Sequence, residues 1–238
     1  MARPFEDVAL VLCSHGIAGG PGAADGHVQR LRAAGAFAEI AAACLNGSPA
    51  LAATVDATTA ARIVLVPFLM AAGRAFNLVL PERLAAARRR DAVRLAAPVG
   101  THPDIALLAA AVAEEALARR GWPSDETLLL LVAHGTTRDP QSGVAARDHA
   151  RTIGAAGRFA SVEAGFLDEP PAIADLLAGR RVAHAVGIGL FADAGPHGSD
   201  DAAAPFAADP AAVYAGPLGP DPRLTAIVLA RAIEALGG

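Results

Sequence analysis

Apolar runs alternate with amphipathic runs along the whole chain. The most continuous, LLLLVA at 128–133, drives straight into His134-Gly135 and the turn residues TTRDP. An apolar run of that length closed by glycine and proline predicts a fully buried parallel strand. VALVLC (8–13), FAEIAAACL (37–45) and RIVLVPFLM (62–70) predict further strands, and VRLAAPVG (93–100) a short one. Helical patterning covers 23–34, 81–90 and 103–120, and another helix follows Ser48-Pro49, with Ser48 as cap and Pro49 at its first position. Strands and helices alternating through short connections predict an α/β fold, a parallel sheet with helices on both faces.

The order then restarts. Gly121-Trp122-Pro123-Ser124-Asp125 punctuates the chain, and the patterns of the first half recur after it. LLLLVAHG falls over VALVLCSHG with His134 on His15, an offset of 119. SVEAGFLDEPPAIADLL falls over EIAAACLNGSPALAATV with Pro171 on Pro49, an offset of 122. VAHAVGIGLF covers ARIVLVPFLM, and the last segments align at 119 again, with Gly219 on Gly100. A period near 120 is domain duplication rather than a solenoid. The expected architecture is two tandem lobes related by internal duplication, residues 1–121 and 122–238.

Composition narrows the function classes. Aromatics make up only 4% of the chain, so the core must be built from Ala, Leu and Val, and the basic residues are all arginine. The net charge of −4 argues against a general nucleic-acid binder. It is uneven: 12 Arg against 10 Asp and Glu up to Gly121, then 8 against 14. Cys13 and Cys44 lie inside apolar runs and read as buried free thiols, which fits a reducing compartment. With no apolar signal core at the N-terminus and no span-length apolar stretch, the expectation is a cytoplasmic protein without a membrane segment.

The candidate chemistry comes from comparing the halves. Chemistry in open α/β sheets gathers at the carboxyl ends of strands. After the first strand both halves have His-Gly, but Glu163 falls on Ala41 and His197 on Ala75. The second half thus offers His134, Glu163 and His197, and the first offers His15 alone. Neighbouring strands lie about 4.8 Å apart, so the three side chains are expected to converge. Two histidines and a carboxylate with open positions suit a catalytic divalent metal. Asp193, Asp200 and Asp201 near His197 read as a solvated loop, and Arg138 is a candidate to hold a substrate carboxylate. His27, His102, His149 and His184 lie in helix-like, turn or strand segments and read as structural or solvated. A histidine phosphatase is excluded, because Ser14 and Ala133 stand where its phosphate-holding arginine is needed.

Strand-HG, strand-Glu, strand-GxH and the PVGTHP and PLGPDP segments, in this order on a duplicated chain, resemble the class II tetrapyrrole chelatases, above all the sirohydrochlorin chelatases of the CbiX/SirB group. The resemblance implies two flavodoxin-like lobes and insertion of Fe²⁺ or Co²⁺ into sirohydrochlorin, on the way to sirohaem or cobalamin. It gives His134 and His197 the metal-binding and proton-accepting roles and matches Glu163 to a strand carboxylate. The metal enters as substrate, and the donor set accepts nickel as well as cobalt and iron; no organic cofactor is expected. The partners are then a sirohydrochlorin-type tetrapyrrole and the metal ion, with His15 and Arg138 as substrate-binding candidates. The N-terminal half, lacking a counterpart of His197, reads as degenerate. The competing expectation is a metal- or tetrapyrrole-binding protein of the same fold without turnover.

Overall fold

The computed structural model describes residues 5–17, 19–139 and 141–237; the first four residues of the N-terminal segment, and Pro140 of the turn after the 128–133 run, lie outside them. Among the described residues eight strands form two four-stranded sheets, all of whose pairings are parallel. The first is built from β1 (Phe5–Ser14), β2 (Phe37–Cys44), β3 (Arg62–Phe68) and β4 (Val93–Leu95) in the order β2-β1-β3-β4. The second repeats it with β5 (Thr127–Ala133), β6 (Ser161–Phe166), β7 (His184–Gly189) and β8 (Ala212–Pro217), in the order β6-β5-β7-β8. These are the two parallel sheets that the duplication predicts, in the flavodoxin-like form that the resemblance implies.

Among the described residues eight α-helices accompany them: α1 (Ala23–Ala34), α2 (Leu51–Ala57), α3 (Leu80–Ala85), α4 (Asp104–Arg120), α5 (Val144–Ala155), α6 (Ile173–Gly179), α7 (Ala202–Ala207) and α8 (Leu224–Leu236). Strand alternation sorts the core into layers. Ala9, Val11 and Cys13 pack with Leu51 and Val55 of α2 and Leu80 of α3. In the second sheet Leu128, Leu130 and Val132 pack with Ile173 and Leu177 of α6 and Phe206 of α7. Cys13 and Cys44 are buried free thiols, and burial pushes the Cys13 thiol up to about 12.

Three local expectations change. Ser48 does not cap a helix: Ser48-Pro49 is a cis peptide, and α2 starts at Leu51 behind Ala50. Helix α3 stops at Ala85, short of the run Arg88-Arg89-Arg90, and two of those arginines make tertiary bonds. Arg89 donates to the Ala60 carbonyl at 2.5 Å and the Thr58 hydroxyl at 2.7 Å, while Arg88 pairs with Asp56 at 3.2 Å. Strand β4 is three residues long, because the chain turns into a 3₁₀ turn at Val99–Thr101.

The expected boundary between 121 and 122 marks the repeat but not the packing. The two compact units are Met1–His102 with Pro220–Gly238, and Pro103–Gly219. The last helix of each half belongs to the other half's unit: α8 packs on α1, β3 and β4, and α4 on α5, β7 and β8. Side chains fix the exchange. Arg231 of α8, buried, donates to the Thr101 hydroxyl at 2.9 Å and to Glu234 at 2.8 Å, and His27 of α1 meets Thr225 of α8 at 2.8 Å. In the other unit Arg158 pairs with Glu114 of α4. A chain stopped at Arg223 should therefore bare one face of β3 and β4. Limited proteolysis is expected to degrade the first sheet and spare a fragment close to 103–219. Loss of the second half instead would restore the 121/122 partition.

Candidate functional site

The strand order reverses between β5 and β7, which leaves a crevice at their carboxyl ends where side chains from both strand exits meet. His134 follows β5 directly, and His197 opens a π-helical turn, His197–Asp201, after β7. The imidazole rings stand edge to face, 4.9 Å apart at an angle of 76°. The two histidines singled out by the repeat are thus brought together.

Each ring has one nitrogen engaged. His134 Nδ1 donates to the Gly135 carbonyl at 2.8 Å, with Asp168 Oδ2 at 3.5 Å. His197 Nδ1 donates to Asp201 Oδ2 at 2.7 Å, one helical turn on. A carbonyl only accepts, and a carboxylate accepts from a neutral ring, so both protons belong on Nδ1. Each Nε2 then keeps its lone pair. Both imidazoles are about half exposed, at 47% and 62%, so a ligand can reach them.

Supporting groups hold each ring. Tyr214 of β8 donates to the Gly198 carbonyl at 2.7 Å and so ties down the turn carrying His197; burial raises its phenol pKa. Its hydroxyl lies where a side chain on Gly189 would begin, 2.0 Å from that Cβ position. Beside His134, Glu169 is buried with its carboxylate paired to Arg147 at 2.6 Å, and accepts from the Thr136 amide at 2.8 Å.

Glu163 does not join this cluster. It stands opposite Leu130 on the edge strand β6, exposed, four residues before the level of His134. At about 3.3 Å per residue that is on the order of 13 Å back along the sheet. Its exposure spares it the cost of a buried charge interrupting an apolar strand. The carboxylate at the pair is Asp168, two residues past the end of β6. Asp201, expected to be solvated loop, is the partner of His197. Sequence offered one signal for both: the repeat puts Asn46 at the place of Asp168 and Val79 at that of Asp201, so the acidic groups appear only where the histidine pair does. Among the described residues no cluster of three or more His, Cys, Asp or Glu has metal-holding geometry, so the arrangement is a two-imidazole site with carboxylates behind and beside it.

His15 is exposed at the exit of β1, with Nε2 3.4 Å from Asn46 Nδ2. Arg138 is exposed in the turn after His134, its amide donating to the Thr136 hydroxyl at 3.3 Å. The other histidines are placed as structural groups. His27 and His149 are buried, His102 is buried 3.4 Å from Glu234, and His184 stacks on Trp122 at 4.4 Å. Asp168→Asn and Asp201→Asn are expected to lower any activity of the pair by about 10- to 100-fold each, with melting unchanged. Steady-state rates beside thermal melts check this.

The CbiX family model matches residues 9–116 and 128–235, one copy in each half. A Halobacterium salinarum protein named "Probable sirohydrochlorin cobaltochelatase" is 27% identical over 95% of this chain and 91% of its own length. The structure of CbiX described as the terminal enzyme for biosynthesis of siroheme in denitrifying bacteria superposes with a TM-score of 0.74 at 27% identity, over 97% of this chain and 99% of that one. DR2241 of Deinococcus radiodurans, a multi-domain protein with structural similarity to chelatases, superposes at 0.76 with 25% identity over 94% of this chain; the match spans 54% of DR2241. No helix among the described residues is long and apolar enough to cross a membrane.

Proposed function

The chain belongs to the CbiX family, and on that premise we propose that it inserts a divalent metal ion into sirohydrochlorin through His134 and His197. The observation that carries this reading is the pair itself: two facing imidazoles at the crevice between β5 and β7, each held through Nδ1 with Nε2 left for a ligand. Family relatives named for cobalt insertion and for siroheme synthesis support the substrate class.

Metal insertion replaces two pyrrole protons by one M²⁺ and needs no electrons, hence no organic cofactor. The protein must hold the ion with few ligands, so that macrocycle nitrogens can displace its waters, and must accept the protons released. A neutral imidazole at pH near 7 does either through Nε2. Asp168 and Asp201 orient the rings and favour a cation beside them. Cobalt, iron and nickel all suit imidazole and carboxylate donors, and selection among them follows geometry and supply. Arg138 is assigned to a substrate carboxylate, and His15 to contact with the macrocycle. The setting is cytoplasmic, with neither membrane nor nucleic acid as partner.

Absorbance during incubation of the purified protein with sirohydrochlorin and Co²⁺ or Fe²⁺ tests the reading. Metal-dependent conversion above the rate without protein is expected, the faster metal pointing to the pathway. No conversion by folded protein would favour a binding protein of the same fold.

A further inference from the structure

We propose that Glu169 is a positioning residue for His134, acting through the Gly135–Thr136 peptide. The proposal rests on the chelatase reading of the histidine pair and adds to it a group two steps removed from the reacting atoms. One peptide plane links the two side chains. Its N–H, from Thr136, donates to Glu169 Oε2 at 2.8 Å; its carbonyl, from Gly135, accepts from His134 Nδ1 at 2.8 Å. Pinning the amide end fixes where the carbonyl points, and the carbonyl fixes which ring nitrogen holds the proton. Hydrogen bonds in series polarise one another, so the charged acceptor at one end strengthens the bond at the other.

The carboxylate is itself held. Its side chain is only 8% exposed, Oε1 is paired with Arg147 at 2.6 Å, and the Arg147 guanidinium lies over the Phe166 ring at 4.4 Å. Two glycines make room for it. A Cβ on Gly135 would begin 2.6 Å from Glu169 Cγ, and one on Gly143 would begin 2.4 Å from Glu169 Oε1. Gly135 also sits at φ +66°, where a side chain is strained. A buried, ion-paired acid with two glycines cleared around it, whose other oxygen accepts from the Thr136 amide and, at 3.3 Å, from the Ser142 hydroxyl, is a costly arrangement for a loop, and the amide it holds belongs to the peptide that accepts from His134.

The first half provides the contrast. At the 122 offset Glu169 falls on Gly47. There His15 lies with Nε2, not Nδ1, toward its neighbour Asn46. In the half with the acid the engaged nitrogen is Nδ1, and in the half without it the engaged nitrogen is Nε2.

Two measurements test the proposal. The ¹⁵N shifts of the His134 imidazole in labelled wild-type protein, recorded at about pH 8, should show the proton on Nδ1. A ring protonated on Nε2 overturns the proposal without any variant. Glu169→Ala should then shift His134 toward the Nε2-protonated form and lower kcat by about 10- to 100-fold with little change in metal KM. Glu169→Gln, whose amide oxygen can still accept from Thr136, should restore the Nδ1 form and most of kcat. A folded Glu169→Ala protein with the wild-type tautomer and rate overturns the proposal. The spectra need no substrate, so a chain that shows the expected tautomer change but no metal insertion would sink the chelatase reading and leave the positioning role standing.

Discussion

Replacing His134 and His197 together by alanine is expected to bring metal insertion to the rate without protein, a loss on the order of 10³-fold or more. The rings share one crevice at 4.9 Å and each offers a single nitrogen, so they act as a unit. Effects within such a unit are not additive. Each single variant should already lose most of the activity, and the double little more. Both side chains are about half exposed, so truncating them should leave the melting temperature nearly unchanged. His15→Ala is the informative companion. Its half has Ala75 in place of the second histidine and Asn46 in place of the aspartate, so its loss should be far smaller. Conversion that persists in the double variant, measured by absorbance with either metal, would move the chemistry away from β5 and β7, with His15 the first suspect.

What the sequence made legible was whatever repeats. Hydrophobic alternation placed the main strands, and the duplication placed His134 and His197 at equivalent exits, where the structure finds them. Glu163 was misread because pattern alone does not separate a strand's middle from its end. The offset of 122 paired it with Ala41 correctly, but only the register, Leu130 opposite Glu163, shows that it lies well short of the crevice. Asp168, five residues later, stands before Glu-Pro-Pro, where an aspartate needs no function to explain it. Glu169 was hidden for a different reason: its partners Thr136 and Arg147 are far from it in sequence, and burial of a single acid leaves no periodic trace. The helix exchange was illegible on principle. Helices α4 and α8 carry equivalent patterns, so the sequence of each half fits either sheet equally well, and only side chains such as Arg231 and Thr101 decide which one it covers.

Gly219→Ala and Gly100→Ala should destabilise the two sheets alike, by about 3 kcal/mol or more each, yet only the first should cost activity beyond what stability explains. A Cβ on Gly219 would begin 1.9 Å from the Ala192 carbonyl oxygen, and one on Gly100 would begin 2.2 Å from Met70 Cα and 2.3 Å from its carbonyl oxygen. Both obstacles are backbone, so no rotamer relieves them. The hydrogen bonds are duplicated too: Gly219 N–H donates to Phe191 and Gly100 N–H to Leu69, each at 2.9 Å. In both halves a glycine after the fourth strand therefore clamps the exit of the third. The exits differ in what they lead to. Residues 190–193 run into the turn carrying His197, whereas the segment around Met70 runs into the turn at Ala75–Val79, which has no histidine. Displacing the first by the ångström or so that an extra carbon there demands moves His197 against His134, and imidazoles misplaced on that scale lose catalysis readily. Rates measured well below each variant's melting temperature separate the two effects: a drop in kcat for Gly219→Ala, and near wild-type kcat for Gly100→Ala at equal stability. Equal losses in both would mean that the two strand exits share the chemistry, and that the first half is not degenerate.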